Sequence, residues 1–330
     1  MLSGEKIIIT GASGLVGMEL ARGLAQHNEV WGVSRYLDAA QRGDAINAWA
    51  TGRAEVEAIG VRPFAADLMG DLDSLPTDFT YLIHLAHTRL PPDRLQEAVR
   101  INALTGGRIM RHCAKAKAAL VVSSTAVYSP PADVWTLLKE TDPIGGGGAP
   151  FHNPTSPASK VSLEAVSQYC AAAFGLKTIV TRLGVLYAAS GGLPTRDMQR
   201  IVNGETLTWY GDPYPHTPIH VDDMRDQIEA LMDAASTEAN IVNWCGDEVV
   251  TQRAWCEQAA ALAGKPLTVR PMPDAPGNAC DPGRRKSITG PCKTVFKTAF
   301  AEIFRAHQAG EASAARQLEI SRRSDGRFTG

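Results

Sequence analysis

The octapeptide TGASGLVG, Thr10 to Gly17, follows the apolar run KIIIT and opens a helix-like stretch beginning near residue 14. Gly11, Gly14 and Gly17 stand at G-x-x-G-x-x-G spacing. Glycine at these positions allows a tight turn, close approach of backbone to a pyrophosphate, and close packing of helix on strand. The helix N-terminus then faces the phosphates. Strand, glycine turn and helix in this order predict a βαβ start and a nucleotide site at Gly11, Ser13, Gly14, Leu15 and Gly17.

The rest of the first half continues the rhythm. EVWGV (29–33), YLIHLA (81–86), ALVVSS (119–124) and KTIVTR (177–182) read as buried parallel strands, with helices at about 14–27, 93–117 and 157–174 between them. Such alternation calls for an α/β fold: a Rossmann-type doubly wound parallel sheet with right-handed crossovers. Tyr36 to Gly60 follows no clear pattern. Near Gly184 Gly/Pro-rich turns take over, and the chain returns through VDDMRDQIEALMDAA and ANIVNWCG. The expected division is a dinucleotide-binding domain of 1–183 with 216–248, and a smaller C-terminal substrate lobe of 184–215 with 249–310. A frayed tail is expected over 311–330.

Across 330 residues the net charge is -2, which gives no footing for a nucleic-acid or anionic-membrane partner. No run approaches the roughly 18 apolar residues of a membrane span. No signal peptide precedes KIIIT. The six cysteines form no C-x-x-C pair and no zinc-ligand spacing with histidine, so free buried thiols, no metal and a cytoplasmic location are expected.

The second strand ends in GVSRY, with Ser34 and Arg35 where a ribose-binding carboxylate would stand. An arginine there can pair with a 2′-phosphate that a carboxylate would repel. This expectation favours NADP over NAD.

Further segments fit one family in order over roughly residues 5–250. They are Asp67-Leu68, HLA (84–86), Asn102, SSTAVY (123–128), Lys160, RLGVLY (182–187) and IHVDD (219–223). With TGASGLVG, the chain resembles the extended short-chain dehydrogenase/reductases, the NAD(P)-dependent epimerase/dehydratase group. The resemblance implies that Asp67 contacts the adenine, that Ala86 and Lys160 lie along the nicotinamide ribose, and that Ser124 polarises the substrate oxygen.

In that family the tyrosine of Y-x-x-x-K is the general acid/base. Here NPTSPASK places Ser156 one turn before Lys160, either in exchange for the tyrosine or through loss of a Tyr-Gly pair. A serine hydroxyl is a far weaker acid than a phenol, and loss of a positioned general acid costs about 10²–10⁴-fold. Ser156 alone is a poor replacement. His87, just after HLA, and His152, after the Gly145–Gly148 loop, are the candidate donors, with Tyr128 and Tyr187 as packed or pocket-lining alternatives. His84 alternates toward the sheet interior and reads as structural.

Three functions remain open on the sequence. The first is an NADP-binding oxidoreductase acting on a hydroxyl or carbonyl carbon with a non-tyrosine acid/base. The second is a lyase, hydratase or isomerase on the same fold; the third, a non-catalytic NADP(H) sensor. Trp209, Tyr210 and the prolines near 271–284 suggest a small, moderately apolar substrate rather than a nucleotide-sugar. Arg196, Arg200, Arg270, Arg284 and Arg285 keep the latter open. The family implies a homodimer through the helices at about 93–117 and 157–174.

Overall fold

The computed structural model describes residues 2–36, 51–145, 154–272 and 277–310. β1 (Lys6–Thr10) runs through the glycine turn into α1 (Leu15–Leu24) and β2 (Glu29–Ser34). A short α2 (Arg53–Ala58) precedes β3 (Arg62–Ala65). β4 (Tyr81–His84), α3 (Leu95–His112), β5 (Ala118–Ser124), α4 (Ser156–Phe174) and β6 (Thr178–Leu183) continue the alternation.

The chain then leaves the sheet. β7 (Leu186–Ala188), β8 (Gly191–Gly192), α5 (Leu193–Val202), β9 (Leu207–Trp209), β10 (Pro215–His216) and β11 (Ile219–His220) form the first excursion. α6 (Val221–Asp233) brings it back, and β12 (Asn240–Trp244) pairs in parallel with β6. The second excursion holds β13 (Val250–Thr251), α7 (Gln252–Ala263), β14 (Val269–Pro271), α8 (Gly283–Thr289) and α9 (Phe296–Gln308).

Seven parallel strands make the main sheet, in the order β12-β6-β5-β4-β1-β2-β3. The order reverses between β1 and β4, which is where a doubly wound sheet opens a crevice at its carboxyl edge. Ile7 and Ile9 belong to the apolar cluster shared with Leu20 and Leu24 of α1 and Ile228 and Leu231 of α6. Ile8 points the other way, into the cluster with Ile109 and Met110 of α3 and Leu163 of α4. Both faces are covered, which is why KIIIT is apolar without alternation. A separate lobe core joins Met198, Ile201, Trp255, Phe296 and Phe300.

Three expectations change. The strand expected over 81–86 stops at His84, so Ala86 lies in the loop that follows. β3 stands where the apolar pattern marks no strand: RPFA is short, carries a proline, and sits at the sheet edge with its residues only partly covered. α8 stands just after the Pro-rich stretch near 271–284, where no helix was expected, anchored by fully buried Arg285, which pairs with Asp247 and donates to the Gly290 carbonyl at 2.7 Å.

Candidate functional site

The glycine turn is fixed by contacts that leave no room for side chains. Gly11 has φ +75°, and a Cβ there would stand 2.8 Å from the backbone nitrogen of Ala86. At Gly17 a Cβ would fall 2.3 Å from the Gly11 carbonyl oxygen, so only glycine lets α1 start against the turn. Gly14 caps α1 with no side-chain hydrogen bond, so the cap residue takes up none of the first-turn N–H donors that begin at Leu15. Bare backbone and a helix N-terminus fit the diphosphate of a dinucleotide.

The other expected cofactor residues stand along the same carboxyl edge. Ser13 donates through its N–H and its hydroxyl to Ser34 Oγ, at 3.2 and 3.1 Å, tying the turn to the end of β2. Arg35 follows on the surface. Past β3, Asp67 is exposed and accepts the Met69 N–H at 2.9 Å, while Leu68 is buried. Past β4, the Ala86 N–H donates to Thr10 Oγ1 at 3.3 Å.

Lys160 lies one turn into α4 and is buried. Its Nζ donates to the Val122 carbonyl at 2.6 Å, two residues before Ser124. Burial pushes the amine down to about 7, with the Arg89 guanidinium adding to the fall and Glu164 opposing it. Glu164 is already engaged: its carboxylate takes two bonds from Arg182, at 3.0 and 2.8 Å, and one from Ser123 Oγ at 2.5 Å. Ser124 ends β5 half-buried, its Oγ accepting the Ala126 N–H at 3.2 Å.

Ser156 and His87 meet. Ser156 Oγ and His87 Nε2 are 3.0 Å apart, across the gap between α4 and the loop after β4. That loop is held from two sides. The Asn102 carboxamide accepts the Thr88 N–H and donates to the Thr88 carbonyl, both at 2.8 Å. Thr155 Oγ1 donates to the Leu90 carbonyl at 3.1 Å. Burial holds the His87 imidazole well below its usual range; Lys160, Arg89 and His84 lower it further, and Asn102 opposes them. His152 lies outside the described residues.

The remaining candidates have other tasks. His84 is fully buried with Nδ1 2.7 Å from Thr10 Oγ1, and burial with Lys160 lowers its imidazole to about 3. Tyr128 is buried, donates to Asn243 Oδ1 at 2.6 Å and lies under the Arg182 guanidinium. Tyr187 packs on Phe296, with ring centroids 4.8 Å apart. Trp209 and Tyr210, expected to face an apolar substrate, are buried in lobe packing. They therefore give no ground for a small apolar ligand. Sequence reasoning missed Glu164, Arg182 and Thr155; only the position of Glu164, one turn beyond Lys160, hinted at its place.

Among the described residues, no group of three His, Cys, Asp or Glu is placed to hold a metal ion. None of their helices is long and apolar enough to cross a membrane.

The fold is that of several solved enzymes. UDP-glucuronic acid 4-epimerase from Bacillus cereus, in complex with NAD, superposes with TM-score 0.76 at 17% identity, covering 95% of this chain and 99% of that one. UDP-glucose 4-epimerase from Thermus thermophilus, also with NAD, gives 0.72 at 20%, covering 91% and 98%. UDP-N-acetylglucosamine 4-epimerase from Methanobrevibacter ruminantium, in complex with UDP-N-acetylmuramic acid, gives 0.72 at 19%, covering 94% and 100%. No curated protein matches the sequence. The expectation of NADP is corrected here, since the Bacillus cereus and Thermus thermophilus structures carry NAD. Arg35 misled because a surface guanidinium at the end of β2 is compatible with a 2′-phosphate without requiring one. Residues 7–245 match the NAD dependent epimerase/dehydratase family, and the chain belongs to it.

Proposed function

We propose that this protein binds NAD and uses it to change the oxidation state, at least transiently, of a carbinol carbon in a nucleotide-linked sugar. The observation that carries the reading is the position of Lys160. It reaches the backbone of β5 beside Ser124, on the same sheet edge as the glycine turn. Family membership and the UDP-sugar complexes of the solved relatives support the substrate class.

In this reading Gly11, Gly14 and Gly17 admit the diphosphate, Leu15 presents its N–H to it, Ser13 holds the turn against Ser34, and Ser34, Arg35, Asp67 and Leu68 flank the adenosine. Ala86 and Lys160 lie along the nicotinamide ribose, and Ser124 donates to the reacting oxygen. Bound NAD supplies a hydride acceptor.

The test is titration calorimetry of cofactor-free protein with NAD⁺. Incubation of the loaded protein with UDP-glucose, UDP-glucuronic acid and UDP-N-acetylglucosamine follows, with products read by NMR. Micromolar NAD⁺ binding and a changed sugar are expected. Absence of NAD⁺ binding overturns the reading; binding with no product from any nucleotide-sugar overturns the substrate class.

A further inference from the structure

Oxidation of a carbinol needs an acceptor for the hydroxyl proton as well as one for the hydride. Most groups near the site are committed elsewhere. The Lys160 amine donates to Val122, Tyr128 is locked on Asn243, and Tyr187 belongs to an aromatic cluster. Thr10 and His84 are joined but fully buried; Ser156 and His87 are also joined, close to Lys160, and able to move a proton.

We propose that Ser156 and His87 act as a single proton-transfer pair: Ser156 Oγ meets the substrate hydroxyl, and His87 Nε2 receives the serine proton that is displaced. The proposal deepens the NAD-dependent reading above and rests on it. In the forward step the carbinol C–H bond breaks and the hydride leaves with both electrons to NAD⁺, which is reduced while the carbon is oxidised to a carbonyl. The substrate O–H proton passes to Ser156 Oγ as the serine proton passes to His87 Nε2. The return step runs the same transfers backward, so the pair ends as it began.

The geometry suits the task. The Ser156–His87 contact is 3.0 Å and spans two elements whose relative position is pinned by Asn102 on Thr88 and by Thr155 on Leu90. His87 Nδ1 is buried without a hydrogen-bond partner among the described residues, so no carboxylate stabilises a charged ring. Lys160 from α4, Arg89 from its own loop and His84 from β4 all face the ring and disfavour its cation, while the Asn102 carboxamide from α3 favours it. The imidazole therefore starts neutral and is a weak base, which takes the proton only while the reaction drives it and gives it back readily. Such a pair suits a reaction that takes a proton and gives it back.

The test uses the full chain with NAD⁺ and the UDP-sugar that it converts. Ser156→Ala and His87→Gln are each expected to lower turnover by about 10²–10⁴-fold while NAD⁺ affinity stays within about threefold. The double variant should lose no more than the worse single one, because residues acting as a unit are not additive. In ¹⁵N-labelled protein, Ser156→Ala should shift the His87 Nε2 resonance whether or not substrate is present. If the parent converts the sugar while both variants keep turnover within about threefold, or the losses multiply, the pair falls and the functional reading stands. If the parent binds NAD⁺ but converts no sugar, the substrate class falls and takes the pair's role with it.

Discussion

Arg182 closes a two-point ion pair on Glu164 inside the protein, Nε to Oε1 at 3.0 Å and Nη2 to Oε2 at 2.8 Å, with both side chains no more than 5% exposed. Glu164 lies one helical turn beyond Lys160 on α4, and Arg182 lies on β6, so the pair rivets the site-bearing helix to the sheet. Removing one partner strands a buried charge, which costs about 3–5 kcal/mol. Glu164→Gln should destabilise by that order in urea unfolding. Glu164→Leu combined with Arg182→Met should recover part of the loss, since an apolar pair leaves no buried charge.

The depressed amine of Lys160 makes a prediction with a definite sign. In the unfolded chain this group binds its proton up to about 10.4, whereas in the fold it lets go near 7. Between those values the unfolded state holds more protons, so parent stability rises with pH across that window and the burial penalty is greatest below it. Lys160→Met, free of the penalty, should gain in Tm relative to the parent at pH 6. That gain should shrink steadily toward pH 10 in cofactor-free thermal scans.

Two glycines of the turn should differ in tolerance. A Cβ at Gly17 meets the Gly11 carbonyl at 2.3 Å, whereas one at Gly14 stands 3.3 Å from the same oxygen. Gly17→Ala must displace backbone, and overpacking of this kind costs about 1–3 kcal/mol. It should also abolish NAD⁺ binding by calorimetry. Gly14→Ala needs a shift of only a few tenths of an ångström, and its loss of affinity should be clearly smaller.

Tyr128 supplies the control for acid/base assignment. Its hydroxyl donates to Asn243 Oδ1 at 2.6 Å within the interior. Tyr128→Phe leaves that oxygen unpaired, at a cost of about 1–3 kcal/mol. Stability should fall by this amount, and the pH profile of turnover should keep its shape. A lost acid or basic limb would instead make Tyr128 a proton donor.

How much of this was visible in the sequence depended on whether the cause was local. KIIIT and ALVVSS are covered on both faces and so appear as uninterrupted apolar runs. The turn at Gly11–Gly17 was legible because its steric demands fall on neighbours in sequence. β3 was not, since a partly exposed edge strand needs no apolar run. Ser156 and His87 could be nominated separately by residue type, yet they are 69 positions apart and no periodicity joins them. Trp209 and Tyr210 misled for a related reason: aromatic rings line pockets and fill cores alike, and here they are buried in the lobe. Arg35 carried a charge whose meaning depended on surroundings that the sequence does not state.

The late arrival of β12 has a consequence for synthesis. β6 is complete at Leu183, but its outer neighbour, Asn240–Trp244, follows only after the first excursion and α6 have been made. Until then β6 presents a row of unpaired backbone groups, and closing that gap carries the entropy of a long connection. A ribosome-bound chain therefore spends an interval with one open sheet edge, at which pairing with a neighbouring nascent chain competes with its own completion. Slower translation between the two strands prolongs that exposure, and co-expression with a chaperone that masks strand edges should raise the yield of folded protein.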